Sequence, residues 1–206
     1  MTIKQLQVLA MPYLSEGTYK PEWAKSKAKN AAKLRSLLPH AKVALTYIGM
    51  GAPLPIYVVS EEQPRSDFYF VHDQIGDDPD LIQYGVKVRH YTLTGKLEGK
   101  ACGQVSVHRN STHKLSRGLP AYLFKELFYR KYGRILSDST QSTKGSGFWE
   151  TRILEALQTN KKVFALEMEG DSEVVEVTPL TKGIEMDRYY TRGENYSGHY
   201  YRFLIE

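Results

Sequence analysis

The sequence predicts an α/β protein, a mixed and mostly antiparallel sheet flanked by helices. Three observations lead there. Residues 101–108, ACGQVSVH, set Ala101, Gly103, Val105 and Val107 against Gln104, Ser106 and His108, which is the period of a half-buried strand. One loop later the spacing becomes helical, with Leu123, Phe124, Leu127 and Phe128 on one stripe. β-rich runs bounded by glycine, proline and aspartate recur on both sides of this pair.

In order, residues 1–22 read as irregular, broken by Pro12, Gly17 and Pro21. Residues 22–38 read as a helix between Pro21 and Pro39. Its apolar stripe of Trp23, Ala24, Ala28, Ala31, Leu34, Leu37 and Leu38 is modest, and Lys25, Lys27, Lys29, Lys33 and Arg35 make the rest basic. Such a surface is either a solvated face or a patch for nucleic acid or an acidic partner. Residues 42–60 are extended, with Gly49, Gly51, Pro53 and Pro55 as interruptions, and DFYFVH at 67–72 is a further strand. Asp73, Asp77, Asp78 and Asp80 lack the closing glutamate of a calcium loop, so capping aspartates and no metal are expected. Residues 84–93 and 101–108 form an antiparallel hairpin turned at Gly95 and Gly99. Gly133 caps the helix that follows. After a short strand, ILSDST, and a loop over 141–147, Trp149, Ile153, Ala156 and Leu157 mark a helix over 147–157 with Ser146 as a possible N-cap. KVFALEME, SEVVEVTPL and HYYRFLIE are strands, separated by a long polar connection over 183–197.

Composition narrows the class. Hydrophobic residues make up 41% of 206, enough for a sizeable core. The single cysteine, Cys102, excludes a disulfide framework and fits a reducing compartment. No run approaches the roughly 18 apolar residues of a membrane span, and MTIKQLQVLAMPY lacks a signal-peptide core. A cytoplasmic protein without membrane association is expected. The net charge of +5 permits nucleic acid or phosphate-rich partners. The six histidines show no zinc spacing, and there is no P-loop and no nucleophile elbow.

Between the 101–108 strand and the next helix lies a basic loop ending Arg117-Gly118-Leu119-Pro120-Ala121. Strand, basic loop and helix start together make an anion site, because unpaired N–H groups and the helix dipole both favour negative charge. This stretch resembles the pyrophosphate-binding loop of the GCN5-related N-acetyltransferases (the GNAT superfamily), in which a Q/R-x-x-G-x-G/A loop joins a strand to a helix. Gly118 takes the first glycine position, Pro120 takes the second, and Leu115 stands where Gln or Arg is usual. RGLPAYL, and SDSTQ followed by a tryptophan-bearing helix, also resemble divergent bacteriophage members.

The resemblance implies an acyl-CoA N-acyltransferase fold over residues 41–206, with residues 1–40 an extension carrying the basic helix. It implies acetyl-CoA as co-substrate and an amine of a protein or small molecule as acceptor. Lys114 and Arg117 would supply charge, and the backbone at Gly118, Leu119 and Ala121 the donors, to the phosphates. Val105 and Val107 would lie beside the pantetheine arm. The candidate bases are His108 and Asp138, at the C-terminal ends of their strands. GFWETRILEAL contains no tyrosine, the family's usual general acid. The alternative is a catalytically silent relative that binds a host protein or nucleic acid.

Overall fold

The computed structural model describes residues 13–15, 21–49, 52–62, 65–72, 81–109, 118–138, 140–181 and 199–206, for some of them the backbone alone. The expected loops over 73–80 and 183–197, and most of the irregular start, lie outside these residues. The protein is mixed α/β with mostly antiparallel pairing. It forms two compact units, one of Met1–Thr18, Tyr91–Gly103 and Gly133–Glu206, the other of Tyr19–His90 and Gln104–Tyr132.

The unit containing residues 19–90 is a meander of β2 (Lys42–Gly49), β3 (Ala52–Glu62), β4 (Arg65–His72) and β5 (Ile82–Gly95), bordered by the second half of β6 (Gly99–Arg109). Each consecutive pair from β2 to β5 is antiparallel. β3 runs straight through Pro53 and Pro55, which were expected to interrupt it. The prolines pair with β2 alone, and pairing with β4 begins at Tyr57, so their missing N–H groups cost the sheet little.

Helix α1 (Lys27–Leu37) starts later than expected. The Ser26 side chain accepts the Lys29 N–H at 3.2 Å and so caps it, while Pro21 opens a separate short turn holding Trp23. Leu34 and Leu37 pack with Phe68, Phe70 and Ile82, and Trp23 joins from the side. Asn30 ties helix to sheet. It donates to the Ile82 carbonyl at 3.1 Å and accepts the Ile82 N–H at 2.7 Å. On the β4 face carrying Tyr69 lies a second helix, α2 (Leu119–Tyr122), a π-helical stretch (Leu123–Phe128) and α3 (Tyr129–Tyr132) in succession. Leu119, Leu123, Phe124 and Phe128 are buried and Leu127 is half-buried. Buried positions four and five apart need a wider turn than the α-helix gives, and the Tyr129 N–H accordingly bonds the Phe124 carbonyl.

The other unit contains the first half of β6, β7 (Ile135–Leu136), β9 (Val163–Glu169), β10 (Glu173–Pro179) and β11 (His199–Ile205). β11 pairs antiparallel with β7 on one side and with β9 on the other, and β10 continues the sheet beyond β9. The β6–β7 pair is parallel, a crossover that requires an intervening connection. Helix α4 (Thr143–Gln158) begins four residues before the expected start at Gly147. It buries the expected Trp149, Ile153, Ala156 and Leu157. β8 (Thr140–Ser142) pairs parallel with β1 (Tyr13–Ser15), where irregular chain was expected over 13–15 and a loop from residue 141 on. No helix among the described residues is long and apolar enough to cross a membrane.

Candidate functional site

β6 and β7 separate almost as soon as they meet. Cys102 pairs with Ile135 and Gly103 with Leu136, and there the register ends. The Cys102 N–H donates to the Arg134 carbonyl at 3.0 Å, so Cys102 faces β7. Backbone groups alternate between the two edges of a strand. Gln104, Ser106 and His108 therefore turn their N–H and C=O groups toward the same side. Among the described residues no strand pairs with them there. Such an edge can accept an extended, amide-bearing chain as one more strand.

The end of β7 is anchored from several directions within its own unit. The Ser137 N–H donates to the Phe203 carbonyl at 2.8 Å, and the Phe203 N–H donates to Ser137 Oγ at 2.9 Å. Arg202 is only 2% exposed. Its Nε donates to the Ser137 carbonyl at 2.5 Å and its guanidinium lies 4.6 Å from the Tyr91 ring centroid. Gly103 makes room for this stack. A Cβ there would stand 2.7 Å from Arg202 Nη2 and 2.8 Å from the Tyr91 ring. Asp138 comes next in the chain. Burial pushes its carboxyl up to about 7, against the pull of the Arg202 charge.

The other expected site residues fall in different places. His108 is half-buried, its ring edge-on to Trp23 at 5.0 Å, and belongs to the other unit from Asp138. Val107 is half-buried on β6, while for Val105 the backbone alone is described. Lys114 and Arg117 lie outside the described residues. Gly118 precedes the helix with φ +80°, a conformation that favours glycine, and Leu119 behind it is fully buried. Ala121 is half-buried in the first turn. That turn rests against β2. The Tyr122 hydroxyl donates to the Thr46 carbonyl at 3.3 Å, and the Tyr47 and Tyr122 rings are 4.7 Å apart. Strands β5, β4 and β3 separate β2 from β6, a gap of roughly 19 Å at ordinary strand spacing. Gly118 and Val107 are thus not brought side by side.

Sequence reasoning missed a polar cluster around Asp67. This buried carboxylate accepts from Ser60 Oγ at 2.5 Å, Lys131 Nζ at 3.0 Å and the Tyr132 hydroxyl, and His90 Nε2 lies 3.2 Å away. Tyr69 Oη accepts from Lys131 at 2.8 Å and lies 2.6 Å from the Tyr132 hydroxyl. Burial opposes the Asp67 charge, but the hydrogen bonds and the Lys131 ammonium outweigh it and hold the carboxyl well below its usual range. Burial raises the pKa of both tyrosines. For Lys131 burial acts the other way, but the Tyr69 oxygen and Asp67 offset it and keep the ammonium charged. Asp67, Tyr69, Lys131 and Tyr132 thus keep their charges or protons near neutrality, and with Ser60 and His90 they tie β3, β4 and β5 to α3. The available signal was Asp67 itself, an acidic residue in phase with Tyr69 and Val71 on a strand face that is buried.

Compared with protein-family models, curated proteins and solved structures, the chain matches none.

Proposed function

We propose that the protein binds acyl-CoA and transfers the acyl group to an amine, the pantetheine arm adding to β6 as an extra strand. The observation that carries this is the β6 edge at Gln104 and Ser106, with which no strand pairs among the described residues once the parallel register with β7 ends at Gly103. The resemblance of the strand, basic loop and helix to the GNAT superfamily supports the same reading. In the reaction the amine nitrogen bonds the thioester carbonyl carbon, the C–S bond breaks, and the proton lost by nitrogen ends on sulfur.

The edge makes a sharp test possible. Ser106→Pro removes one outward N–H of this edge and leaves the groups facing β5 alone, so folding should persist. Calorimetry with acetyl-CoA should give binding for the native protein and at least a tenfold loss for Ser106→Pro, about the value of one hydrogen bond to 1.4 kcal/mol. No heat from the native protein at millimolar acetyl-CoA would end the proposal. Gly118→Asp, measured in parallel, decides whether the helix start beside β2 touches the phosphates.

A further inference from the structure

We propose that β2 is a self-association edge, which takes β2 of a second copy of this chain as its next strand. β2 pairs with β3, and among the described residues no strand lies beyond it. Of the four large apolar side chains exposed among the described residues, three gather here: Leu38 just before the strand, and Val43 and Ile48 on it, 59% and 82% exposed. Val43 and Ile48 are five residues apart, yet they share a face. Their partners Tyr57 and Pro53 are four apart on β3, and a bulge at Ala44 takes up the odd residue. The strand reads KVALTYIG, so between Lys42 and Gly49 neither a charge nor a proline protects the edge. Sheets carry such residues where an edge has to stay single, and an apolar edge without them recruits another strand.

The chemistry of β2 fits a copy of itself. A two-fold axis at Thr46 sets Thr46 against its own copy, and Ile48 against Ala44 and the adjoining Val43, in both directions. Threonine pairs and apolar pairs across strands are favourable. The two Lys42 side chains fall at opposite ends, roughly 26 Å apart at ordinary strand rise, so like charges do not meet. A charged partner would find no opposite charge along this edge, whereas a second β2 brings none to its centre. The Tyr122 hydroxyl meets the Thr46 carbonyl, and that oxygen keeps a second lone pair for a neighbouring strand. At the other end of the sheet β10 pairs with β5 at Glu173 and Val174 as well as with β9, so copies adding head to tail would meet a strand partnered there on both sides. A closed two-fold pair is left. A contact one strand long buries less than the roughly 800 Å² per partner of a tight complex, so the dimer should be weak and depend on concentration.

Sedimentation velocity over a concentration series tests this. The native protein should show a monomer–dimer equilibrium. Ile48→Lys changes an exposed side chain, so the fold should persist, while the charge it brings to each copy should weaken the dimer at least tenfold. Thr46→Cys places two thiols on the axis, within the ~4.5–5.5 Å Cβ spacing of directly opposed residues, and should give a disulfide-linked dimer on mild oxidation. Lys42→Cys sets the thiols far apart and should not. A native protein that stays monomeric at hundreds of micromolar overturns the proposal and leaves the edge to a different chain. A dimer that Ile48→Lys does not weaken, or that cross-links no better through residue 46 than through residue 42, forms on another surface and overturns it too.

Discussion

Two aspartates show how environment assigns different work to one side chain. Asp67 is held by several donors, whereas for Asp138 burial is the larger influence and outweighs the Arg202 charge, and their acidities move in opposite directions. For Asp67 the folded pKa lies below the unfolded value near 3.9. Its stabilisation is therefore present above that pH and lost as acid protonates the folded carboxylate. For Asp138 the folded pKa lies above the unfolded one. Folding then favours the protonated form, and the contribution fades as pH rises from about 4 through 7. Asp138→Asn should accordingly flatten the decline of stability between pH 5 and 8, as read by urea unfolding at several pH values. Asp67→Ala should cost about 3–5 kcal/mol at neutral pH, since it strands buried donors. Lys131→Ala should cost much less, because its side chain is 43% exposed and screened by water. Equal losses for the two variants would show that the cluster is not organised around the carboxylate.

At the scale of elements, what the sequence made legible followed from periodicity. Trp149, Ile153, Ala156 and Leu157 stand at helical intervals and all four are buried. Leu127 was expected to share the buried face with Leu123, Phe124 and Phe128, and the π turn rotates it partly outward. No 3.6-residue template anticipates that, because the wider turn arises from packing against the sheet and not from local preference. Leu123→Ala should lower the denaturant midpoint by the equivalent of about 2–5 kcal/mol, and Leu127→Ala by clearly less. A larger loss at Leu127 would mean that the helix is regular. The β1–β8 pair was hidden for a different reason, as two three-residue segments far apart in sequence leave no pattern to read. The site was legible only in part. The β6 strand is where it was expected and residues 110–117 of the basic loop lie outside the described residues, while the separation between Gly118 and β6 depends on how the helix crosses the sheet.

At the scale of the whole molecule, the surplus of positive charge is less available than the count suggests. Glu22 forms ion pairs with both Lys25 and Lys29, which push its carboxyl down to about 2, and Lys33 lies over the Phe68 ring. Lys25, Lys29 and Lys33, three of the five basic residues on this helical segment, are therefore engaged within their own unit. Binding to short DNA or RNA should be weak at moderate salt, and Glu22→Gln should strengthen it while steepening its salt dependence. Tight binding by the native protein with no response to Glu22→Gln would place any nucleic-acid surface elsewhere.

β11 lies between β7 and β9 although both of those strands precede it in the chain. During synthesis β7 and β9 must therefore wait, each with an unfilled edge, until residues 199–205 have been made. Contacts between segments so distant in sequence slow folding, and exposed strand edges meanwhile invite pairing with other chains. This unit consequently cannot be completed in step with translation, so its yield in the cell should depend on chaperones more than its native stability alone would indicate.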